Sequence, residues 1–135
     1  MQLGASAGIL DATFDGDGHA VYALGNDYSC GFAICQLTNG DLLVCGTKTV
    51  DSSLRMVVLK LSSNGSRINA FGVNGVKEIV VGGFIDIARA MCMQENGKIL
   101  VAGGSDHVSG GANTDFALVR LNTNVTLDNT FVMMV

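Results

Sequence analysis

The sequence predicts an all-β fold built from two similar units of four short strands each. Three observations carry this. The stretch Glu95-Asn96-Gly97-Lys98-Ile99-Leu100-Val101-Ala102-Gly103-Gly104 has an earlier copy, Thr38-Asn39-Gly40-Asp41-Leu42-Leu43-Val44-Cys45-Gly46-Thr47, and Asn39 and Asn96 stand 57 residues apart. No stretch of ten or more residues carries a convincing helical period. Eighteen glycines with no proline mark many tight turns rather than a disordered linker.

Taken in order, residues 1–8 are small and glycine-rich, a frayed lead-in. Ile9-Leu10-Asp11-Ala12-Thr13-Phe14 is related to Ile68-Asn69-Ala70-Phe71 and to Leu127-Asp128-Asn129-Thr130-Phe131. Residues 19–24 alternate weakly and are expected to form a strand, with residues 76–81 as their counterpart. Residues 30–37 follow as a strand, with Cys30, Phe32, Ile34 and Gln36 on one face and Gly31, Ala33, Cys35 and Leu37 on the other. Both faces are mostly apolar, as in a strand packed between two layers. Asn39-Gly40 then predicts a hairpin into residues 41–46. Residues 47–53 read as a polar loop, residues 54–61 as a strand rich in Val and Leu, and residues 62–66 as the turn that ends it. The second unit repeats the order: strands over 87–93, 98–103 and 115–121, the Asn96-Gly97 turn, and a closing turn over 122–125. Residues 87–94 have some helical propensity, but their counterpart contains Gly31 and Phe32, so both are assigned as strands. Leu61 and Leu121 lie 60 residues apart because residues 105–114 form a longer loop. Residues 132–135 fall where a fourth strand would stand. The single domain thus divides near 19–75 and 76–135.

The bulk composition limits function. Hydrophobic residues make up 48% of the 135-residue chain and charged residues 15%. That is little charge for a monomer covering its own surface, and it suggests sheets covered on both faces or a surface kept for other subunits. A net charge of −4 offers no basic patch, which argues against a nucleic-acid partner. No apolar run reaches about 18 residues, so no membrane insertion is expected. Residues 1–10 lack the basic start and apolar core of a signal peptide. Localisation is left open, although thiols read as free favour a reducing compartment.

No catalytic, cofactor-binding or metal-binding residue is assigned. Gly4-Ala5-Ser6-Ala7-Gly8 matches a nucleophile elbow only as letters, because the elbow needs a strand before the serine and a helix after it. Asp15 and Asp17 are too few for calcium, which takes about six to eight oxygens, and turn chemistry explains them better. Cys30, Cys35, Cys45 and Cys92 fit no zinc spacing and read as buried small apolar residues. His19 and His107 are the only histidines, and neither stands in a nucleophile–base pattern. Asn64-Gly65-Ser66 and Asn124-Val125-Thr126 fit the glycosylation acceptor pattern, but they occupy equivalent turns, and turn formation accounts for the asparagines.

A period near 57 to 60 with four strands per unit resembles a β-propeller blade. The residues go further and resemble the delta-60 repeat family. Its units read like G-S-L-D-x-T-F-G, a strand, A-x-A-x-x-Q-x-D-G-K-I-x-V-A-G and D-F-A-L-x-R-L. Leu10-Asp11-Ala12-Thr13-Phe14 and Leu127-Asp128-Asn129-Thr130-Phe131 match the first element. Ala88, Ala90, Gln94 and Gly97-Lys98-Ile99-Leu100-Val101-Ala102-Gly103 match the second, and Asp115-Phe116-Ala117-Leu118-Val119-Arg120-Leu121 the last. The first unit departs at Asp41, where the family has lysine, and at Leu54-Arg55-Met56, where it has Asp-Phe-Ala. The usual glycine after Phe131 is missing. The resemblance implies a propeller-like fold and brings no catalytic residue or cofactor with it.

Two units cannot close a ring that usually takes about four to eight blades. The chain is therefore expected to assemble with itself as a cyclic homo-oligomer, most simply a homotrimer of six blades, unless it is a piece of a longer repeat protein. The leading functional reading is a non-enzymatic scaffold that presents loops 47–53 and 105–114 to a binding partner. The alternative is a carbohydrate-binding, lectin-like propeller. Against it, tryptophan is absent, only Tyr22 and Tyr28 are polar aromatics, and Phe14, Phe71 and Phe131 sit at equivalent anchoring positions. A protein or glycan ligand suits either reading.

Overall fold

A computed structural model of the chain describes residues 8–25, 27–106 and 113–131. The described residues contain strands and no helix: β1 (Ser29–Gln36), β2 (Leu42–Val50), β3 (Ser53–Leu61), β4 (Val76–Ile79), β5 (Ile85–Met93), β6 (Ile99–Asp106) and β7 (Asp115–Leu121). They form a seven-stranded sheet in the order β1-β2-β3-β5-β6-β7, with β4 also paired to β3. Residues 1–7, with the elbow-like Ser6, lie outside the described residues, as do His107, Ser109 to Ala112 and residues 132–135.

The sheet is two antiparallel meanders joined by one bridge. β1 through β4 make the first, in the register Cys45↔Val58 and Met56↔Ile79. β5 through β7 make the second, in the register Val101↔Val119. The join is the single parallel pair Leu54↔Ile85, with the Leu54 N–H donating to the Phe84 carbonyl at 2.9 Å. Beyond that bridge the meanders pack face to face. Leu43, Cys45, Met56, Val58 and Ile79 from the first form one buried cluster with Ile99, Val101, Ala117, Val119 and Leu121 from the second.

The hairpins close through one turn design used four times. In residues 37–41 the Leu37 N–H donates to Asp41 O at 2.8 Å and the Gly40 N–H to Leu37 O at 2.9 Å. The same pair of bonds recurs in 62–66, 94–98 and 122–126. The residue before the last must take a left-handed conformation, and Gly40, Gly65 and Gly97 do so at φ 89°, 91° and 79°. The fourth turn puts a β-branched residue there, Val125 at φ 68°, which a side chain branched at Cβ tolerates poorly. Val125→Gly is therefore expected to stabilise the fold by about 1 kcal/mol, read as a higher thermal midpoint. An unchanged or lower midpoint would show that the turn carries no strain.

Asn64 and Asn124 serve these turns. The Asn124 Oδ1 accepts from the Thr126 hydroxyl at 2.7 Å and from the Thr126 N–H at 3.2 Å, and the Asn64 Oδ1 accepts from the Ser62 hydroxyl at 2.5 Å. Local side-chain to backbone bonding of this kind is what favours asparagine in turns.

Three expectations are corrected. Residues 19–24 are not a strand: among the described residues no other strand runs beside them, and an isolated extended segment has no ladder to bond to. Residues 47–53 are not a long loop, because β2 runs to Val50 and β3 starts at Ser53. Asp51 (φ 47°) and Ser52 (φ 65°) alone make the connection, the two-residue primed turn that matches strand twist. Nor does the strand end at the glycine of the repeated motif, since β6 continues through Gly103 and Gly104 to Asp106.

A further difference lies in β1 and β5. Each carries a bulge, between Gly31 and Ala33 and between Ala88 and Ala90. The extra residues, Phe32 and Arg89, are equivalent in the repeat. A bulge shifts the side-chain alternation by one. Ala33 and Cys35 therefore align with Cys45 and Leu43, and Ile34 aligns with Val44.

Candidate functional site

The bulges build the first feature with chemistry to offer. Each turns its extra residue out of the ladder, and the two meanders bring these residues together: the Arg89 guanidinium lies over the Phe32 ring at 4.7 Å from its centroid. Tyr28 enters β1 beside them, anchored by its carbonyl, which accepts from the Thr49 N–H at 2.8 Å. Tyr28 as a whole is 55% exposed. The hydrogen bond with the Cys30 side chain, aided by partial burial, raises the Tyr28 hydroxyl above its ordinary pKa. The result is an exposed aromatic and a cation side by side, suited to stacking against a flat or ring-shaped ligand. Sequence reading missed Arg89. The signal was there, since Arg89 stands 57 residues after Phe32, but only the bulges show that both side chains leave the sheet.

Tyr22 is already engaged. Its hydroxyl donates to the Gly65 carbonyl, and Arg67 lies 5.5 Å from its ring centroid. Tyr28 is thus the more exposed of the two tyrosines. Phe71 is buried in the core and Phe131 lies under Arg120 at 4.5 Å, which fits anchoring at both positions. Asp17 accepts from the His19 N–H at 3.1 Å, and Asp15 takes a left-handed turn conformation at φ 49°. Among the described residues no three His, Cys, Asp or Glu side chains are grouped to hold a metal ion. The cysteines are less uniform than expected: Cys45 is buried, Cys30 and Cys35 are half-buried, and Cys92 is exposed. Burial pushes the Cys35 and Cys45 thiols above their ordinary pKa.

Two charged clusters brace the units. Asp86 is fully buried and accepts from the Ser105 hydroxyl at 2.7 Å, the Val81 N–H at 2.9 Å and the Gly82 N–H at 3.0 Å. Three donors compensate the removal of a carboxylate from water. In the second unit Asp128 accepts from Lys98 at 2.6 Å and Arg120 at 2.7 Å. The Lys98 bond, followed by that of the Thr130 hydroxyl, holds the Asp128 carboxyl well below the usual carboxylate range. The first unit reverses the arrangement. Ile68 stands where the second unit has Asp128, Asp41 stands where it has Lys98, and Lys60 pairs with Asp41 at 3.3 Å. The unusual Asp41 is therefore half of a charge swap: its carboxylate pairs with Lys60 in the first unit, where Asp128 pairs with both Lys98 and Arg120 in the second.

The second candidate surface is the outer face of β1–β3. Phe14, Ala20, Val21, Tyr22 and Leu24 cross it, leaving an apolar cavity of about 370 Å³ above Ile34, Val44 and Leu59. Ile34 is 63% exposed. The repeat makes this face informative. Leu42, Val44, Val57, Leu59 and Leu61 are the counterparts of Ile99, Val101, Ala117, Val119 and Leu121, the side that the second meander packs against the first. On the far side of the second meander, Leu100, Ala102, Phe116 and Leu118 are the counterparts of Leu43, Cys45, Met56 and Val58, the other half of that same contact. Phe116 is 84% exposed and Met56 is fully buried.

No curated protein matches the chain. A family model described as a beta-propeller domain of unknown function (DUF5122) matches residues 94–131, the span from the Gln94 turn through β6 and β7 to Phe131, and it supports a propeller-type repeat in this chain.

Proposed function

We propose that the chain is a non-enzymatic propeller scaffold of the delta-60 kind, whose ring is completed by further copies of itself. One observation carries the reading: the two outer faces repeat, residue for residue, the two halves of the buried contact inside the chain. A neighbour's Leu100–Leu118 side fits the Val44–Leu59 side as Leu43–Val58 fits Val101–Val119. Such a contact is head-to-tail and closes as a cyclic assembly. Three copies make six blades, and Phe32 and Arg89 then alternate around the ring, with Tyr28 beside each pair.

Light scattering on a sizing column tests it. A mass near three times 14.0 kDa is expected. A stable, folded monomer at high concentration overturns the reading.

The alternative, a glycan ligand, draws on the exposed Tyr28 ring beside Arg89. Stacking on a sugar face needs an accessible aromatic, and Tyr28 provides one per chain.

A further inference from the structure

We propose that residues 19–22 of one copy are the outer strand of β7 in a second copy. The proposal rests on the ring reading above and adds a strand register to it. Within the chain, β3 carries an outer strand, β4, paired Met56↔Ile79, Val57↔Glu78, Val58↔Lys77 and Leu59↔Val76. The repeat offsets turn these pairs into Phe116↔Tyr22, Ala117↔Val21, Leu118↔Ala20 and Val119↔His19. Among the described residues neither partner of the translated ladder has a strand on the side concerned. Among the described residues β7 has a strand ladder only with β6. Residues 19–22 have no ladder at all, and Val21 is 88% exposed.

The surroundings suit a strand. A cleft of about 360 Å³ flanks β7, lined by Val80, Val81, Leu118 and Phe131 among others and by Arg120 and Asp128, which are ion-paired to each other. Residues 19–22 (His-Ala-Val-Tyr) and residues 116–119 (Phe-Ala-Leu-Val) carry no carboxylate, lysine or arginine, so the ladder forms without burying a fixed charge. The pair opposite Phe116 is Tyr22, an aromatic pair of the kind that stabilises cross-strand neighbours. The limits of the donated segment also follow. Leu127 bridges Leu121, and the Asp128 N–H donates to Arg120 O at 2.9 Å. Residues 127–131 thus already hold the place that residues 10–14 would repeat, and the free edge begins where residue 19 would pair.

Donation and ring closure are one event. Residues 14–24 lie across the outer face of β1–β3, held by Tyr22 to the Gly65 carbonyl and by the Arg67 guanidinium to Ala23 O at 3.0 Å. A neighbour that packs on that face displaces the segment, and the β7 of that same neighbour is the edge that receives it. An unpaired edge is otherwise a route to indiscriminate strand pairing.

Cysteine pairs test the register. Tyr22→Cys with Phe116→Cys and Val21→Cys with Ala117→Cys are oxidised and run on non-reducing gels, with light scattering on the same samples. The natural chain sets the background from its own four cysteines. Adjacent antiparallel pairs alternate in geometry, and one of the two brings Cβ atoms into bridging range. The offset pair, Val21→Cys with Phe116→Cys, points to opposite faces and is the control. At least tenfold more intermolecular cross-link in one register pair than in the offset pair is expected. An oligomer without that excess overturns strand donation and leaves the ring reading standing. A monomeric mass overturns both. A cross-link confined to single chains shows that residues 19–22 close onto their own β7, and it overturns donation between copies.

Discussion

Gly103→Ala is expected to destabilise the fold by about 3 kcal/mol, a drop on the order of 10 °C in the thermal midpoint. An added Cβ at Gly103 would run into the Ile87 carbonyl of β5, a backbone atom that cannot swing aside. The cause is the bulge between Ala88 and Ala90, which presses the β5 backbone toward β6. Gly46 repeats the situation against the Cys30 carbonyl, beside the bulge between Gly31 and Ala33, so Gly46→Ala is expected to cost a similar amount. The direction is informative because alanine for glycine otherwise stabilises, by about 0.4–1 kcal/mol, through a less flexible unfolded chain. Gly25 is the control: its Cβ would make an ordinary contact with Thr49 O at 3.6 Å. Thermal melts of the three variants decide the matter. A Gly103→Ala protein that melts with the natural chain would mean that the bulge relaxes freely.

The second large effect comes from a matched pair of substitutions. Val58 is fully buried between the meanders, and Leu118 is its counterpart on the outer face of the second. Val58→Asp places a carboxylate in the core with no donor provided, and a loss of about 4 kcal/mol or more is expected, enough to unfold the chain at ambient temperature. Leu118→Asp puts the same charge on a half-buried, unpartnered face. The lone chain is expected to lose less than about 1 kcal/mol, while the proposed assembly is expected to dissociate, because burying an unpaired charge in an interface is costly. Urea midpoints measure the first quantity and light scattering the second. If Leu118→Asp unfolds the chain as Val58→Asp does, the outer face belongs to the core of the single chain. If its mass is unchanged, that face is not the contact between copies.

The resemblance between repeats makes these experiments possible, and it was legible from residues alone. The order of elements, the Asn-Gly turns and the counterparts 57 and 60 residues apart follow from local chemistry. Strand-forming runs and turn residues specify themselves within a few positions. Strand ends were less legible. Gly46 and Gly103 looked like stops because glycine is common at strand ends, but here the bulge of a neighbouring strand needs the space a Cβ would take. No local pattern shows the approach of another backbone. The turn at Asp51-Ser52 was hidden for a similar reason, since two small polar residues look like loop until the flanking strands are seen to pair.

The candidate site was legible only in part. Tyr28 could be named from its residue type, but Arg89 could not, because its place over Phe32 depends on two bulges meeting across a packed interface. The ion pair Asp41–Lys60 looked like a departure from the repeat until Ile68 was seen to stand where Asp128 holds Lys98 and Arg120. Residues 19–24 mark the boundary most clearly. By itself the sequence determined where the equivalent of this segment in the second unit lies, and it led to a strand assignment for both. Only the tertiary structure decided that it is not a strand within the described chain. A strand is defined by the backbone groups of its neighbour, and among the described residues no neighbouring strand runs beside this segment.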